Sequence, residues 1–440
     1  AAGAIVRNAA AGNKNAIGHI IVIVNENHSF DNLYGMFPGA NGISQAKQAP
    51  KQVDKNGKPY ETLPQPINDY AQPKAAPDDR FPKDLPNEPF LLNQFVKPGD
   101  SFGAAEHKFY EEQDQADGGK MDKFVATPGG TAGLVMGYWD TTQLPMYDYA
   151  SKFTLMDNFF HGAWGESFFN NLWLMCACVL TFPNAPADML TTVDAGGKVL
   201  KENKVTPDGY AINDHAISVY GPHDAETPNA AHLVPPQTLP TIGDRLNEKN
   251  VSWAWYAGGW NDALAGKPDP TFRNFHQPFI YFKNFGDGTD QKKLHLKDES
   301  DFLNDLKDGN VPAVSYLKPL GADDEHPGYT TVFRGEQHTV GLIQAIQASP
   351  IWKDSVIIVT YDESGGLYDH VAPPKGDRWG PGPRIPAILV SPLVKQGFID
   401  HSQSESTSVL AFIEWRFGLS SLGTRDATVS DLTSALQLPS

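Results

Sequence analysis

At 440 residues the chain is long enough for one large α/β domain with insertions, or for two domains sharing a core. Lys plus Arg number 35 against 52 Asp plus Glu, a formal charge of −17 that argues against holding nucleic acid or anionic membranes by bulk electrostatics. Any anionic substrate must then be met by a local site such as a metal ion, histidines or a helix N-terminus.

The opening "AAGAIVRNAAAGNKN" has no apolar core of a leader and reads as a mature or trimmed terminus. "HIIVIV" (19–24) is a short, branched apolar run of the kind that forms a strand buried on both faces, and it ends abruptly in Asn25, Glu26, Asn27 and His28. Residues 40–100 are rich in Pro, Gly, Asn and Asp and predict a long excursion near the rim of a sheet; residues 184–240 predict a second, the two forming a rim or a small loop-rich or β subdomain. "DGGKM" (117–121) and Gly328 read as turns.

"SFFNNLWLMCACVL" (167–180) predicts a helix opened by Gly165 and Ser167, and its Cys176 and Cys178, spaced for neither a relaxed disulfide nor a zinc knuckle, are expected as small core residues. Helices are further predicted over 241–250, 335–352 and 406–419, and strands over 251–256, 311–317, 355–361 and 385–391. The helix at 335–352 followed by "SVIIVTY" reads as an α/β unit, so the expected fold is a mostly parallel central sheet flanked by helices. No apolar run reaches the roughly 18 residues of a transmembrane helix, and no internal repeat or low-complexity tract is present.

"SVIIVTYDESGG" repeats the design of "HIIVIVNEN": a buried strand running into carboxylate or amide side chains, here Asp362 and Glu363. In open α/β sheets ligands bind outside the carboxyl ends of strands, so two neighbouring parallel strands would gather Glu26, Asn27, Asp362 and Glu363 in one crevice. Three carboxylates there would repel unless a cation with oxygen ligands lay between them. The plainer reading is that each pair caps a strand and faces solvent. Ser167 admits two readings as well: a nucleophile at a helix N-terminus, or an ordinary N-cap. His107, His276, His326 and His370 lie in Pro/Gly-flanked or acidic contexts where they can neutralise phosphoryl oxygens or protonate a leaving group, or equally serve as structural histidines. The remaining histidines, His161 and His215 among them, carry no such signal.

Taken in order, "VNENHSFDNLYGMFPGANG", "HKFYEEQDQADGGKMDKF", "HQPFIYF", "VSYLKPLGADDEHPGY", "YDESGGLYDHVAPP" and "GPGPRIPAILVSP" resemble the bacterial phosphoesterase family that includes AcpA-type acid phosphatases, bacterial phospholipases C and plant non-specific phospholipases C. The resemblance runs over nearly the whole chain and implies one α/β domain over 14–440, similar to alkaline phosphatase and the arylsulfatases, with one principal divalent ion: calcium, magnesium, manganese or zinc. It places the metal ligands on Glu26, Asn27, Asp362 and Glu363, with Ser167 both nucleophile and ligand, and the phosphate-contacting histidines on His107, His276 and His326. It also implies export to the periplasm or medium, and a small phosphate ester, or a lipid head group, as substrate; it leaves the oligomeric state open. Three positions depart from the family's pattern: Glu166 before the nucleophile, Asn171 where relatives have histidine, and Phe275 where they often have a second one. These bear on the strength, pH optimum and substrate class of the activity. The expected reaction is monoester hydrolysis through a phosphoserine, with phospholipase C action as the alternative and an inactive phosphate- and metal-binding relative as a third. Trp164, Phe168, Phe169, Trp255, Trp260, Phe279 and Tyr281 would serve a lipid approach if exposed, and the core otherwise.

Overall fold

Residues 20–24 are all branched and apolar, so neither face of the strand they form tolerates water, and all five side chains are fully buried. Burial of each is worth roughly 1.5–3 kcal/mol. This strand lies near the middle of the sheet. The computed structural model describes residues 12–68, 76–224 and 229–440; residues 1–11 of the opening segment, and 69–75 and 225–228 of the two excursions, lie outside them.

Eight strands build the central sheet: β1 (His19–Asn25), β2 (Thr154–Met156), β3 (Trp253–Ala257), β4 (Leu296–Asp298), β5 (Val314–Lys318), β6 (Ser355–Tyr361), β7 (Ala387–Val390) and β8 (Phe398–Asp400). Their spatial order is β8-β2-β7-β6-β1-β5-β3-β4. β7 runs against both neighbours, and every other adjacent pair is parallel. β1 sits between β5 and β6, with Ile23 opposite Leu317 on one side and Val359 on the other. Next along, Tyr316 of β5 stacks on Trp255 of β3 at 4.7 Å between ring centroids, a cross-strand pair in register.

The helices that bear on the site are α1 (Phe30–Tyr34), α2 (Phe109–Ala116), α3 (Ser167–Trp173), α4 (Ile242–Glu248), α5 (Val332–Gln347) and α6 (Ser406–Phe417). α5 begins with Thr331 Oγ1 accepting from the Arg334 N–H and buries Val332, Gly335, Glu336, Thr339, Leu342, Ile343 and Ile346, a stripe at helical spacing. α6 is buried on every side from Ser406 to Glu414, which is why its apolar residues show no amphipathic pattern.

Two sequence expectations fail in one place. The helix expected over 167–180 stops at Trp173, and Cys176 and Cys178 form a disulfide with Cα atoms 5.1 Å apart. Ala177 between them takes a left-handed φ of 47°, which turns the two cysteines toward each other in a way neither helix nor strand allows.

α1 is fixed to the loop after β6 by a buried ion network. Arg384, fully buried, reaches Asp31 Oδ1 at 3.0 Å and Asp369 Oδ1 at 3.1 Å, and donates to the carbonyls of Asn41 and Asp157, each at 2.8 Å. His370 belongs here and not at a phosphate site: its Nδ1 meets Asp31 Oδ2 at 2.7 Å and its Nε2 meets Asn41 Oδ1 at 2.8 Å.

Candidate active site

Because β1 and β6 are parallel neighbours with Asn25 opposite Tyr361, their polar continuations leave the sheet side by side. The Asp362 N–H donates to Asn25 O at 2.9 Å, and the Asn27 N–H to Asp362 Oδ1 at 3.3 Å. Asn27 adopts φ 65°, and Gly365 and Gly366 after β6 adopt 68° and 69°; a Cβ on Gly365 would lie 2.5 Å from Asn27 O. Left-handed backbone at both strand ends turns the chain sharply and keeps the four polar side chains together.

α3 brings the hydroxyl. Gly165, at φ 98°, passes so close to α2 that a Cβ would lie 2.9 Å from Phe109 N. Glu166 takes the N-cap position without a side-chain cap, and Ser167 is the first helical residue. Its Oγ lies 2.8 Å from Glu26 Oε2, 3.2 Å from Glu363 Oε1 and 3.4 Å from Asn27 Oδ1. The plain N-cap reading of Ser167 is therefore excluded, since the hydroxyl faces the carboxylates and not its own helix. The solvent-facing reading of the strand ends falls too: Glu26, Asn27, Asp362 and Glu363 are all buried.

Ligand atoms of Glu26, Asp362 and Glu363 lie within 4.8 Å of one another. Burial, opposed by Lys318 and His276, leaves the Glu26 carboxyl well below the usual range, whereas burial and the charge of Glu26 push Asp362 well above it. So many buried oxygens sharing one hydroxyl fit a hard divalent cation, which relieves the repulsion that lifts Asp362. Glu26, Asn27, Asp362, Glu363 and Ser167 would hold it.

A residue not singled out in the sequence lies in the same cluster. Lys318, at the end of β5 and fully buried, places Nζ 2.7 Å from Glu26 Oε1 and 3.4 Å from Asp362 Oδ2.

Ser167 lies at a cavity of about 450 Å³ that His107, His276 and His326 also line, together with Arg273, Tyr329, Phe275 and His215. His107 gives Nδ1–H to Ala105 O at 2.6 Å and meets Glu363 Oε1 through Nε2 at 3.1 Å. Burial opposes its charge, but Glu363 holds its pKa well above the ordinary value. His276 meets Glu26 Oε1 at 2.9 Å, yet burial drives its pKa down to about 4. Burial also lowers His326, whose Nδ1–H is taken by Pro327 O at 2.6 Å, leaving Nε2 as its free ring nitrogen. All eight residues that the family resemblance pointed to thus meet in one place.

The three departures have distinct fates. Glu166 lines the cavity, but burial and the neighbouring charge of Asp214 push its pKa well above the carboxylate range, which weakens its repulsion of an anion. Asn171 is buried away from the cavity, its Nδ2 toward Phe275 O at 3.5 Å. Phe275 itself is a wall, 4.6 Å from the ring of His215 and 5.1 Å from that of His276.

Behind the nucleophile stands Glu112 of α2, buried. Oε2 accepts the Gly165 N–H at 2.6 Å; Oε1 accepts the Ser364 hydroxyl at 2.9 Å and faces His161 Nε2 at 3.3 Å. One carboxylate therefore ties the turn before Ser167 to the loop after Glu363. Sequence reading passed over Glu112 and His161, although Glu112 lies within "HKFYEEQDQADGGKMDKF" and His161 shortly before Ser167, because nothing in the chain shows that α2 packs behind the turn into α3.

The sequence pattern of the Phosphoesterase family matches residues 17–420. The chain belongs to that family. This phosphoesterase is 25% identical over 460 residues to the Non-hemolytic phospholipase C of Pseudomonas aeruginosa, covering 96% of this chain and 58% of that protein. It is 24% identical over 467 residues to Phospholipase C A of Mycobacterium tuberculosis, covering 95% of this chain and 77% of that one. Non-specific phospholipase C6 of Arabidopsis thaliana is 24% identical, with 96% and 72% covered. The phosphoesterase thus spans under two thirds of the Pseudomonas protein's length. Similar solved structures include a protein of the alkaline phosphatase superfamily from Vibrio parahaemolyticus (16% identity, 46% of this chain and 52% of that one, TM-score 0.30). Another is the lipoteichoic acid synthase LtaP of Listeria monocytogenes (12% identity, 66% and 68%, TM-score 0.34).

Proposed function

We propose that this phosphoesterase hydrolyses phosphate monoesters through a phosphoserine on Ser167. The observation that carries the reading is the Ser167 hydroxyl, at a polar cavity with Oγ 2.8 Å from Glu26 Oε2. Glu26 takes the hydroxyl proton; the serine oxygen attacks phosphorus in line and the bond to the departing alcohol breaks. A divalent ion bound by Glu26, Asn27, Asp362, Glu363 and Ser167 supplies positive charge that acidifies the hydroxyl and offsets the phosphoryl charge. His107 and Arg273 hold phosphoryl oxygens, and the proton taken by Glu26 reaches the leaving oxygen by way of His276, which meets Glu26 Oε1 at 2.9 Å and lines the cavity beside His326. Water then cleaves the Ser167–phosphorus bond and restores the hydroxyl.

Most of the aromatics that would have formed a lipid approach support the monoester reading by their burial: Phe168, Phe169, Trp255, Trp260, Phe279 and Tyr281 are at most 1% exposed, and Trp164 alone of that set is partly exposed. The phospholipase C reading keeps one observation in its favour, the names of the relatives above. Among the described residues no helix is long and apolar enough to cross a membrane. The Cys176–Cys178 disulfide supports export to an oxidising compartment.

The test compares p-nitrophenyl phosphate with p-nitrophenyl phosphorylcholine from acidic to neutral pH, with Ser167→Ala as control. Faster release from the monoester, falling at least about 1,000-fold in Ser167→Ala, is expected. Preference for the diester would replace the monoester reading by the phospholipase C one. Tight phosphate binding without turnover would mark an inactive relative.

A further inference from the structure

Lys318 cannot touch substrate: it is fully buried and forms no part of the cavity wall. What it touches is Glu26 at 2.7 Å and, more loosely, Asp362 at 3.4 Å, and Glu26 turns its two oxygens in two directions. Oε2 receives the Ser167 hydroxyl at 2.8 Å; Oε1 meets Lys318 Nζ at 2.7 Å and His276 Nε2 at 2.9 Å. On that second side lies another set of donors, Glu26, His276 and Asp324, with ligand atoms within 4.8 Å of one another. Asp324 is fully buried; its Oδ1 accepts the His326 N–H at 3.0 Å, while its Oδ2 has no hydrogen-bond partner. A buried carboxylate oxygen left in this state is costly unless a positive charge stands nearby.

Glu26 therefore belongs to two compartments at once. The one it shares with Asp362, Glu363 and Ser167 is all oxygen and suits a hard cation; the one it shares with Asp324 and His276 mixes oxygen and imidazole nitrogen, as zinc or manganese accept. One divalent ion in the first would neutralise two of the four carboxylate charges that Glu26, Asp324, Asp362 and Glu363 carry when ionised, and the ammonium a third.

We propose that Lys318 is the built-in second cation of this centre: its ammonium holds Glu26 Oε1, the oxygen that a second divalent ion among Glu26, Asp324 and His276 would need, and so limits the centre to one metal. The proposal rests on the metal-assisted reading of the Ser167 cluster. Lys318 is thus a positioning residue, holding Glu26 Oε1 so that Oε2 stays aimed at the nucleophile.

The experiment counts metal. Wild-type protein and the variants Lys318→Met and Lys318→Met/Asp324→Asn are stripped with chelator, loaded with excess Zn²⁺ or Mn²⁺, desalted and assayed by mass spectrometry for ions per chain. One equivalent is expected in wild type, two in Lys318→Met and one again in the double variant. Two equivalents in wild type would overturn the assignment of Lys318, and this arm needs no variant. One in wild type and one in folded Lys318→Met would also overturn it, leaving the one-metal reading intact; none in wild type would remove both. Because Lys318→Met strips a charge from a buried cluster, its folding is followed by circular dichroism with and without the ion. Recovery of the fold on binding two equivalents supports the proposal, and a variant that stays unfolded in saturating ion refutes it, since the second ion should restore the missing charge.

Discussion

Replacing Glu112 by Gln tests whether the carboxylate behind Ser167 governs chemistry or only stability. The side chain keeps its volume, and its remaining oxygen can still accept the Gly165 N–H, which lies 2.6 Å from Oε2 in the native protein. The other oxygen becomes an amide group facing His161 Nε2, now 3.3 Å away, and the Ser364 hydroxyl, now 2.9 Å away, which donates to it. A hydrogen bond to a charged group contributes roughly 1.5–3 kcal/mol. If about 2 kcal/mol of that is felt where Ser167 attacks, kcat falls about 30-fold. Glu112 does not line the cavity, so KM should stay within about twofold. His161, whose pKa burial lowers and Glu112 more than restores, also loses its counter-charge. The assay is steady-state hydrolysis of p-nitrophenyl phosphate beside a thermal melt. A variant with a lowered melting temperature but wild-type kcat would refute the positioning role and leave Glu112 as a structural group alone.

Gly165→Ala should fold yet lose most turnover, because φ 98° disfavours alanine and its Cβ would lie 2.9 Å from Phe109 N, displacing Ser167; kcat and a melt together test this. Arg384→Met should cost about 3–5 kcal/mol in urea unfolding, since it strands Asp31 and Asp369 without their shared partner; an unchanged midpoint would contradict the network described here. Burial raises Glu336 from 4.5 to about 8, so the folded state keeps a proton that the unfolded chain releases, and stability falls as pH rises between those values. Glu336→Gln should therefore be more stable than wild type at pH 8 by a few kcal/mol, about 1.4 kcal/mol for each pH unit crossed between the two values, and no more stable near pH 4. Chelator should abolish hydrolysis, and a divalent ion should restore it in wild type but not in Asp362→Asn/Glu363→Gln.

The strands nearest the centre were legible because burial on both faces leaves a mark no loop shares: an unbroken branched run, as in residues 20–24 and 355–361. Their polar ends were legible for the same reason, since Glu26 and Asp362 interrupt such runs without a turn signal. The stop of α3 at Trp173 was not, because Leu174, Met175 and Cys176 are as buried as the helix and carry the same apolar signature. The disulfide depends on one left-handed residue, Ala177, whose side chain gives no hint of it. Lys318 ends an apolar strand directly before Pro319 and reads as the start of a loop; its role depends on which strand lies beside β5. His370 carried the same loop context as His107, and only the placement of Asp31 separates the two.

β1 also sets the timetable of folding. Residues 20–24 form an unbroken branched apolar strand, yet they pair with β5 and β6, at residues 314–317 and 356–360. A chain emerging from the ribosome carries this strand, unpaired on both edges, until most of the sequence has followed it. Contacts so distant in sequence make folding slow, and a bare, flat, apolar edge is a template for aggregation in the interval. The segment that gives the native sheet its centre is therefore the one a nascent chain most needs shielded.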